Sequence, residues 1–191
     1  MKVLFLDHDG VICLSTEWGS RHKKQKKWGG RKLSMSFREI PLQYRFDNFN
    51  KKAIKVLNKI IESTNCEIVI SSDWKLHGSL VELQAYYKEQ GIAKMPFSMT
   101  RTCEEIDRQF WNRNFRFNAN LEQERSFEIR NWLTNNPEVT SWVAVDDLNM
   151  GSFLGDRFVW TPKEDEGIKQ LGTKEKIIKI LNDDIQNKEV D

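Results

Sequence analysis

At 191 residues the chain is long enough for one domain with a full core and a modest insertion. With 39% hydrophobic and 30% charged residues it reads as a soluble protein on the polar side, and a formal net charge of +2 is too small to imply nucleic-acid binding by itself. No stretch approaches the length of a transmembrane helix, no signal-peptide pattern precedes the first strand, and the widely spaced Cys13, Cys66 and Cys103 form no CxxC, so the expectation is free thiols in a reducing, cytoplasmic setting.

The chain begins with Val3-Leu4-Phe5-Leu6, an apolar run without alternation that suits a strand buried on both faces of a parallel sheet. It stops at Asp7, and Asp9-Gly10 follows. Two carboxylates so close to the end of a buried strand repel each other and lack a structural partner nearby in sequence. A divalent cation with hard oxygen ligands resolves that conflict, and Gly10 lets the backbone turn tightly straight after. Alone, the pattern is equally a strand with a polar turn, so the rest of the chain decides.

Residues 12–32 show poor periodicity and read as a loop or small flap. Arg21, Lys23, Lys24, Lys26, Lys27 and Arg31 are interleaved with Trp18 and Trp28. A charge run is usually a solvated face, but basic residues mixed with aromatics also suit a phosphate backbone and exposed bases. Lys23, Lys24, Lys26, Lys27, Trp28 and Arg31 are therefore the candidate nucleic-acid contacts. Residues 33–49 read as loop with one short helix, so that 12–49 as a whole is a basic flap or small cap insertion. A helix follows from about Asn50, a plausible N-cap, to Ser63, with Ala53, Ile54, Leu57, Ile60 and Ile61 facing the core. Cys66 to Ile70 reads as a second strand ending in Ser71-Ser72-Asp73-Trp74-Lys75, where hydroxyls either form a turn or hold phosphate oxygens.

Leu80 to about Gln90 is a second helix stopped by Gly91, and Pro96 to Thr100 is a candidate third strand. Residues 101–120 carry Arg101, Arg108, Arg113 and Arg116 among aromatics and are too long for an ordinary connection, so they read as a second insertion. The third helix runs from about Arg125 to Asn135, with Ile129, Trp132 and Leu133 inward. The buried strand Trp142-Val143-Ala144-Val145 then stops at Asp146-Asp147, a second carboxylate pair at a strand end. Arg157 to Trp160 makes a fifth strand, and a helix from about Lys174 to Ile185 closes the chain.

Strands alternating with helices imply an α/β fold with a mostly parallel, five-stranded sheet. Parallel strands place their carboxyl ends on one edge, so Asp7, Asp9, Ser71, Ser72, Asp146 and Asp147 converge there, with Arg125 in reach from its helix. A carboxylate nucleophile, carboxylates for Mg²⁺, and hydroxyls with a guanidinium for phosphate oxygens make a phosphoryl-transfer site.

In motif order and spacing, nearly the whole chain resembles the haloacid dehalogenase superfamily of phosphohydrolases. Asp7-His8-Asp9-Gly10-Val11 is similar to that family's first motif, which implies Asp7 as nucleophile and Asp9 as general acid and base. Ser71, after Ile68-Val69-Ile70, resembles the second motif, which binds phosphoryl oxygens with Ser72 beside it. Arg125 takes the place of the third-motif basic residue, usually lysine, with Lys75 and Arg130 as competitors. Asp146-Asp147 resembles the fourth, metal-binding motif. The resemblance thus implies a Rossmann-like fold with small cap insertions and a Mg²⁺ held by the Asp7 carboxylate, the Asp9 backbone carbonyl and Asp146, with Asp147 helping through water. The strings Ser-Ser-Asp-Trp-Lys and Trp-Val-Ala-Val-Asp-Asp are similar to a branch associated with RNA repair, whose usual wording is closer to Ser-Ser-Ser-Trp-Arg, so Asp73 and Lys75 depart from it. The expected activity is a phosphomonoesterase on an RNA or DNA end or a nucleotide. A small-molecule phosphatase and a non-catalytic phosphate- or RNA-binding module are the alternatives.

Overall fold

In a computed structural model, which describes residues 1–29, 36–107 and 120–183, the first strand is the middle of the sheet. β1 (Lys2–Leu6) pairs in parallel with β2 (Glu67–Ile70) on one side and with β4 (Ser141–Asp146) on the other. β3 (Ser98–Met99) and β5 (Phe158–Trp160) complete the order β3-β2-β1-β4-β5, all parallel. The register pairs Leu6 with Ile70 and with Val145, so the residues that follow each of these strands emerge side by side. The backbone keeps this register past the strands: Asp7 N–H donates to Val145 O at 3.1 Å and Ser71 N–H to Leu6 O at 3.0 Å.

The two-residue period of the strands divides the core into two layers. Leu4, Leu6, Ile68, Ile70, Val143 and Val145 pack with α3 (Lys51–Thr64), α4 (Leu80–Gln90) and α8 (Thr173–Asn182). Val3, Phe5, Val69 and Ala144 pack with Ile129 and Trp132 of α6 (Leu121–Thr134) and Leu154 of α7 (Gly151–Leu154). Asn50 caps α3, its side chain accepting from Lys52 and Ala53 N–H, and Gly91 ends α4 with a left-handed φ of 85°. Cys13, Cys66 and Cys103 are all free and buried. Among the described residues no helix is long and apolar enough to cross a membrane.

Residues Ser20–Trp28, expected as loop or flap, are helix α1, followed by the short α2 (Leu42–Arg45). α1 has no apolar stripe because it is held by polar contacts. The Asp47 carboxylate accepts from Arg21 N–H at 2.6 Å and from Ser20 Oγ at 3.2 Å at its N-terminus, where a negative charge is favoured by the positive end of the helix dipole. Gln25 Nε2 donates to Tyr44 O at 2.8 Å, and Trp28 stacks on Tyr44 at 5.4 Å. Buried Arg45 ties the segment to α4 through Glu82, at 2.8 Å. The third helix begins one turn earlier than the expected Arg125, because Asn120 caps it by accepting from Gln123 N–H. Of the 101–120 insertion, α5 (Cys103–Ile106) is described; Arg108, Arg113, Arg116 and, in the first insertion, Arg31 lie outside the described residues.

Candidate active site

Asp7, Asp9, Ser72, Asp73, Arg125, Asp146 and Asp147, with Leu121 and Leu148, line one cavity of about 160 Å³ at the carboxyl edge of the sheet. The β1 and β4 ends each supply two acids that differ in exposure. Asp7 and Asp146 stop their strands and are buried, whereas Asp147 is half-buried and Asp9 reaches the surface. Gly10 makes this proximity possible. Its φ is +67°, and a Cβ there would lie 2.4 Å from Asp147 Oδ2.

Arg125 projects from α6 into the middle of the acids. Its Nη1 donates to Asp7 Oδ1 at 3.0 Å, to Asp146 Oδ2 at 3.1 Å and to the backbone carbonyl of Ser71, while Nη2 donates to Asp73 Oδ1 at 2.9 Å. Burial works against its charge, but Asp7, Asp146 and Asp73 outweigh that and hold its pKa above the ordinary arginine value. One guanidinium does not balance the cluster. Burial pushes the Asp7 carboxyl up to about 7, against the pull of Arg125, and the charges of Asp147 and Asp9 push the same way. Asp146 is raised well above the ordinary aspartate value, by burial first and then by Asp7. Asp147 is raised as well, chiefly by burial.

Asp7, Asp146 and Asp147 each offer a carboxylate oxygen, and these atoms lie within 4.8 Å of one another. Hard oxygen donors in excess of the local positive charge suit a divalent cation. The Asp9 carboxylate stands apart from this trio and accepts from Trp74 Nε1–H at 2.9 Å. Partial loss of water raises its pKa, and the indole bond opposes that rise.

The segment after β2 serves four partners in succession. The Ser71 carbonyl binds Arg125; its buried Oγ has no hydrogen-bond partner among the described residues. Ser72 Oγ accepts from Trp74 N–H at 3.5 Å and begins the 3₁₀ turn Asp73–Leu76. At three residues per turn, consecutive side chains point about 120° apart. Asp73 thus meets Arg125, Trp74 meets Asp9, and Lys75 turns away to Glu128 and, at 2.9 Å, Thr100 Oγ1. Lys75 is outside the Asp7 cavity and lines a neighbouring one of about 340 Å³. Arg130 donates to the carbonyl of Phe153, also away from Asp7. Of the three basic residues weighed for the phosphate site, Arg125 is the one that touches Asp7.

On α1, Lys23, Lys26, Lys27 and Trp28 are exposed. Lys24 is committed elsewhere: its ammonium donates to Phe46 O at 2.8 Å and Asn48 Oδ1 at 3.0 Å. The roles of Asp73 and Trp74 are not legible in the sequence. The only signal for them is their place directly after the strand-end serines.

A parallel α/β sheet with two acid pairs and an arginine at its carboxyl edge defines a hydrolase site of the haloacid dehalogenase kind. Residues 3–170 match the HAD domain in Swiss Army Knife RNA repair proteins, and the chain belongs to that family. No curated protein and no solved structure matches it.

Proposed function

We propose that this HAD domain is a Mg²⁺-dependent phosphomonoesterase that works through an aspartyl-phosphate on Asp7 and acts on phosphorylated RNA ends. The observation that carries the reading is the convergence of Asp7, Asp146 and Asp147 oxygens within 4.8 Å, with Asp9 lining the same cavity. Asp7, Asp146 and Asp147, with the Asp9 carbonyl, would hold the cation. When bound, it supplies the positive charge that keeps Asp7 ionised and offsets the charge of the phosphoryl group. Arg125 and Ser72, which line the cavity, bind phosphoryl oxygens, and the buried Ser71 hydroxyl, without a hydrogen-bond partner among the described residues, is a further donor.

The Asp7 carboxylate attacks phosphorus, the bond from phosphorus to the leaving oxygen breaks, and Asp9 gives that oxygen a proton. Asp9, now a carboxylate, takes a proton from water as the water oxygen attacks phosphorus and the bond to Asp7 breaks. Inorganic phosphate and the original protonation states result.

The family supports an RNA end over a free metabolite. So does the cavity: about 160 Å³ suits a phosphate group and leaves the bulk of the substrate outside. Lys23, Lys26, Lys27 and Trp28 on α1 are the exposed basic and aromatic groups for a strand lying beyond the cavity. Lys24 is a scaffold group in this reading.

The test is phosphate release, with and without Mg²⁺, from 3′- and 5′-phosphorylated oligoribonucleotides, their DNA counterparts and free nucleotides. The expected result is Mg²⁺-dependent release favouring one RNA end, with Lys23, Lys26 and Lys27 all changed to Glu raising KM for the oligonucleotide and not for p-nitrophenyl phosphate. Preference for free nucleotides would replace the RNA assignment with a small-molecule phosphatase. Binding without release would leave a phosphate-binding module.

A further inference from the structure

The general acid of this site is an exposed aspartate, and exposure is a problem for its task. Asp9 must present one oxygen within about 2.6–3.2 Å of the leaving oxygen. An unrestrained surface aspartate samples several rotamers and spends much of its time turned to water. The backbone beneath it is already fixed. The His8 carbonyl accepts from Val11, Ile12 and Cys13 N–H at 3.2, 2.9 and 2.7 Å, and Gly10 N–H donates to Cys13 O at 3.0 Å. What remains free is the side chain.

We propose that Trp74 is the positioning residue for Asp9, its indole N–H selecting the carboxyl orientation that protonates the leaving group. The inference rests on the phosphatase reading. Trp74 Nε1 donates to Asp9 Oδ2 at 2.9 Å, which leaves Oδ1 to carry the proton that moves to the leaving oxygen. The indole itself is immobilised. Trp74 is 6% exposed, stacks on Phe46 at 4.6 Å and 12° and on Phe49 at 5.2 Å and 19°, and meets the edge of His8 at 4.6 Å. His8 is anchored in turn, its Nε2 lying 2.6 Å from the Tyr87 hydroxyl. A rigid aromatic wall thus presents its one donor to the acid; the Cys13 thiol also hydrogen-bonds the Asp9 carboxyl, but an S–H is the weaker donor of the two. Chemistry other than positioning is not asked of the indole, which has no second polar atom.

Trp74→Phe keeps the stacking ring and removes the donor. Two substrates separate positioning from mere support. A phosphorylated oligoribonucleotide leaves as an alkoxide and needs a proton; p-nitrophenyl phosphate leaves as a stable phenolate and does not. General acid catalysis contributes about 10²–10⁴-fold, so misplacing the acid should lower kcat on the oligonucleotide by roughly 10–100-fold, with KM unchanged. On p-nitrophenyl phosphate the loss should stay under about 3-fold, by the same reasoning. In an Asp9→Asn background Trp74→Phe should add nothing, since both changes remove one function. Benzothienylalanine at position 74 fills the indole volume without the N–H and should reproduce the selective loss if Trp74→Phe is poorly folded. Equal loss on both substrates, or no loss on either, overturns the positioning role while leaving the phosphatase intact. A wild-type protein that releases phosphate from neither substrate overturns the phosphatase reading and the positioning role with it.

Discussion

Two buried cations, Arg125 and Lys75, stand at the same edge of the sheet, and both fit the basic residue of a phosphate site by sequence alone. Their surroundings differ. Arg125 faces three carboxylates, Asp7, Asp73 and Asp146, from a cavity open to a ligand. Lys75 faces one, Glu128, with Thr100 Oγ1 as a second partner, so its charge is balanced in place. The Glu128 carboxylate is also saturated, its other oxygen accepting from Cys103 N–H at 3.2 Å, which ties α5 to α6. A cation among surplus acids marks where a further positive charge and an anionic substrate can enter together. A matched pair marks a joint in the scaffold.

The comparison breaks most directly at Asp7. Asp7→Asn keeps an acceptor for Arg125 but removes the oxygen proposed to attack phosphorus, so phosphate release should fall by at least about 10⁴-fold while circular dichroism is unchanged. Substantial activity in that variant would move the chemistry away from the Arg125 cluster.

Lys75 sharpens it from the other side. Lys75→Met strands a buried Glu128 charge and should destabilise by about 3–5 kcal/mol. Adding Glu128→Leu should restore most of that loss in a denaturant titration, with kcat within about 3-fold of wild type. A refolded double variant without turnover would return Lys75 to the phosphate site.

The acid cluster itself should be visible in stability against pH. A carboxyl held near 7 in the folded protein and near its ordinary value in the unfolded chain binds more protons when folded. Stability therefore falls as pH rises between those values, and the full penalty is present above about 7. In the absence of divalent metal, Asp7→Asn should thus melt higher than wild type at pH 8 and close to it at pH 4. Mg²⁺ should raise the wild-type Tm more at pH 8 than at pH 5, and much less in Asp146→Asn. A Tm difference independent of pH would mean that Arg125 alone neutralises the cluster.

The smallest effect concerns Asp73, which shares Arg125 from an exposed position. Asp73→Ser should change stability by less than about 1 kcal/mol, as for other exposed pairs. It frees one guanidinium nitrogen for phosphate, so KM should drop a few-fold; a rise in KM would show that Asp73 orients Arg125 rather than competing for it.

The elements that carry an apolar signal were legible in the sequence. α3 and its Asn50 cap, α4 and its Gly91 stop, and the β1 and β4 strands ending in acids announce themselves through periodicity and strand-end chemistry. The sheet then brings Asp7, Asp9, Ser72, Asp146 and Asp147 together because parallel strands share an edge. α1 was not legible, since a helix made of Arg, Lys, His and Gln, held by Asp47 and by Tyr44, leaves no stripe to read. Choosing between Arg125 and Lys75 was equally out of reach. It depends on which carboxylates surround each cation, and Glu128 lies 53 residues from Lys75 in the chain.

The 3₁₀ turn at Asp73–Leu76 imposes a further discipline. Because its side chains fan out by a third of a turn each, substitution at one position disturbs one set of partners, whereas a change of length disturbs them all. Deleting a residue after Ser72 would bring the indole toward the arginine and the ammonium toward the acid arm at once. This stretch can therefore change its letters one at a time, but its spacing is a code that admits no insertion or deletion.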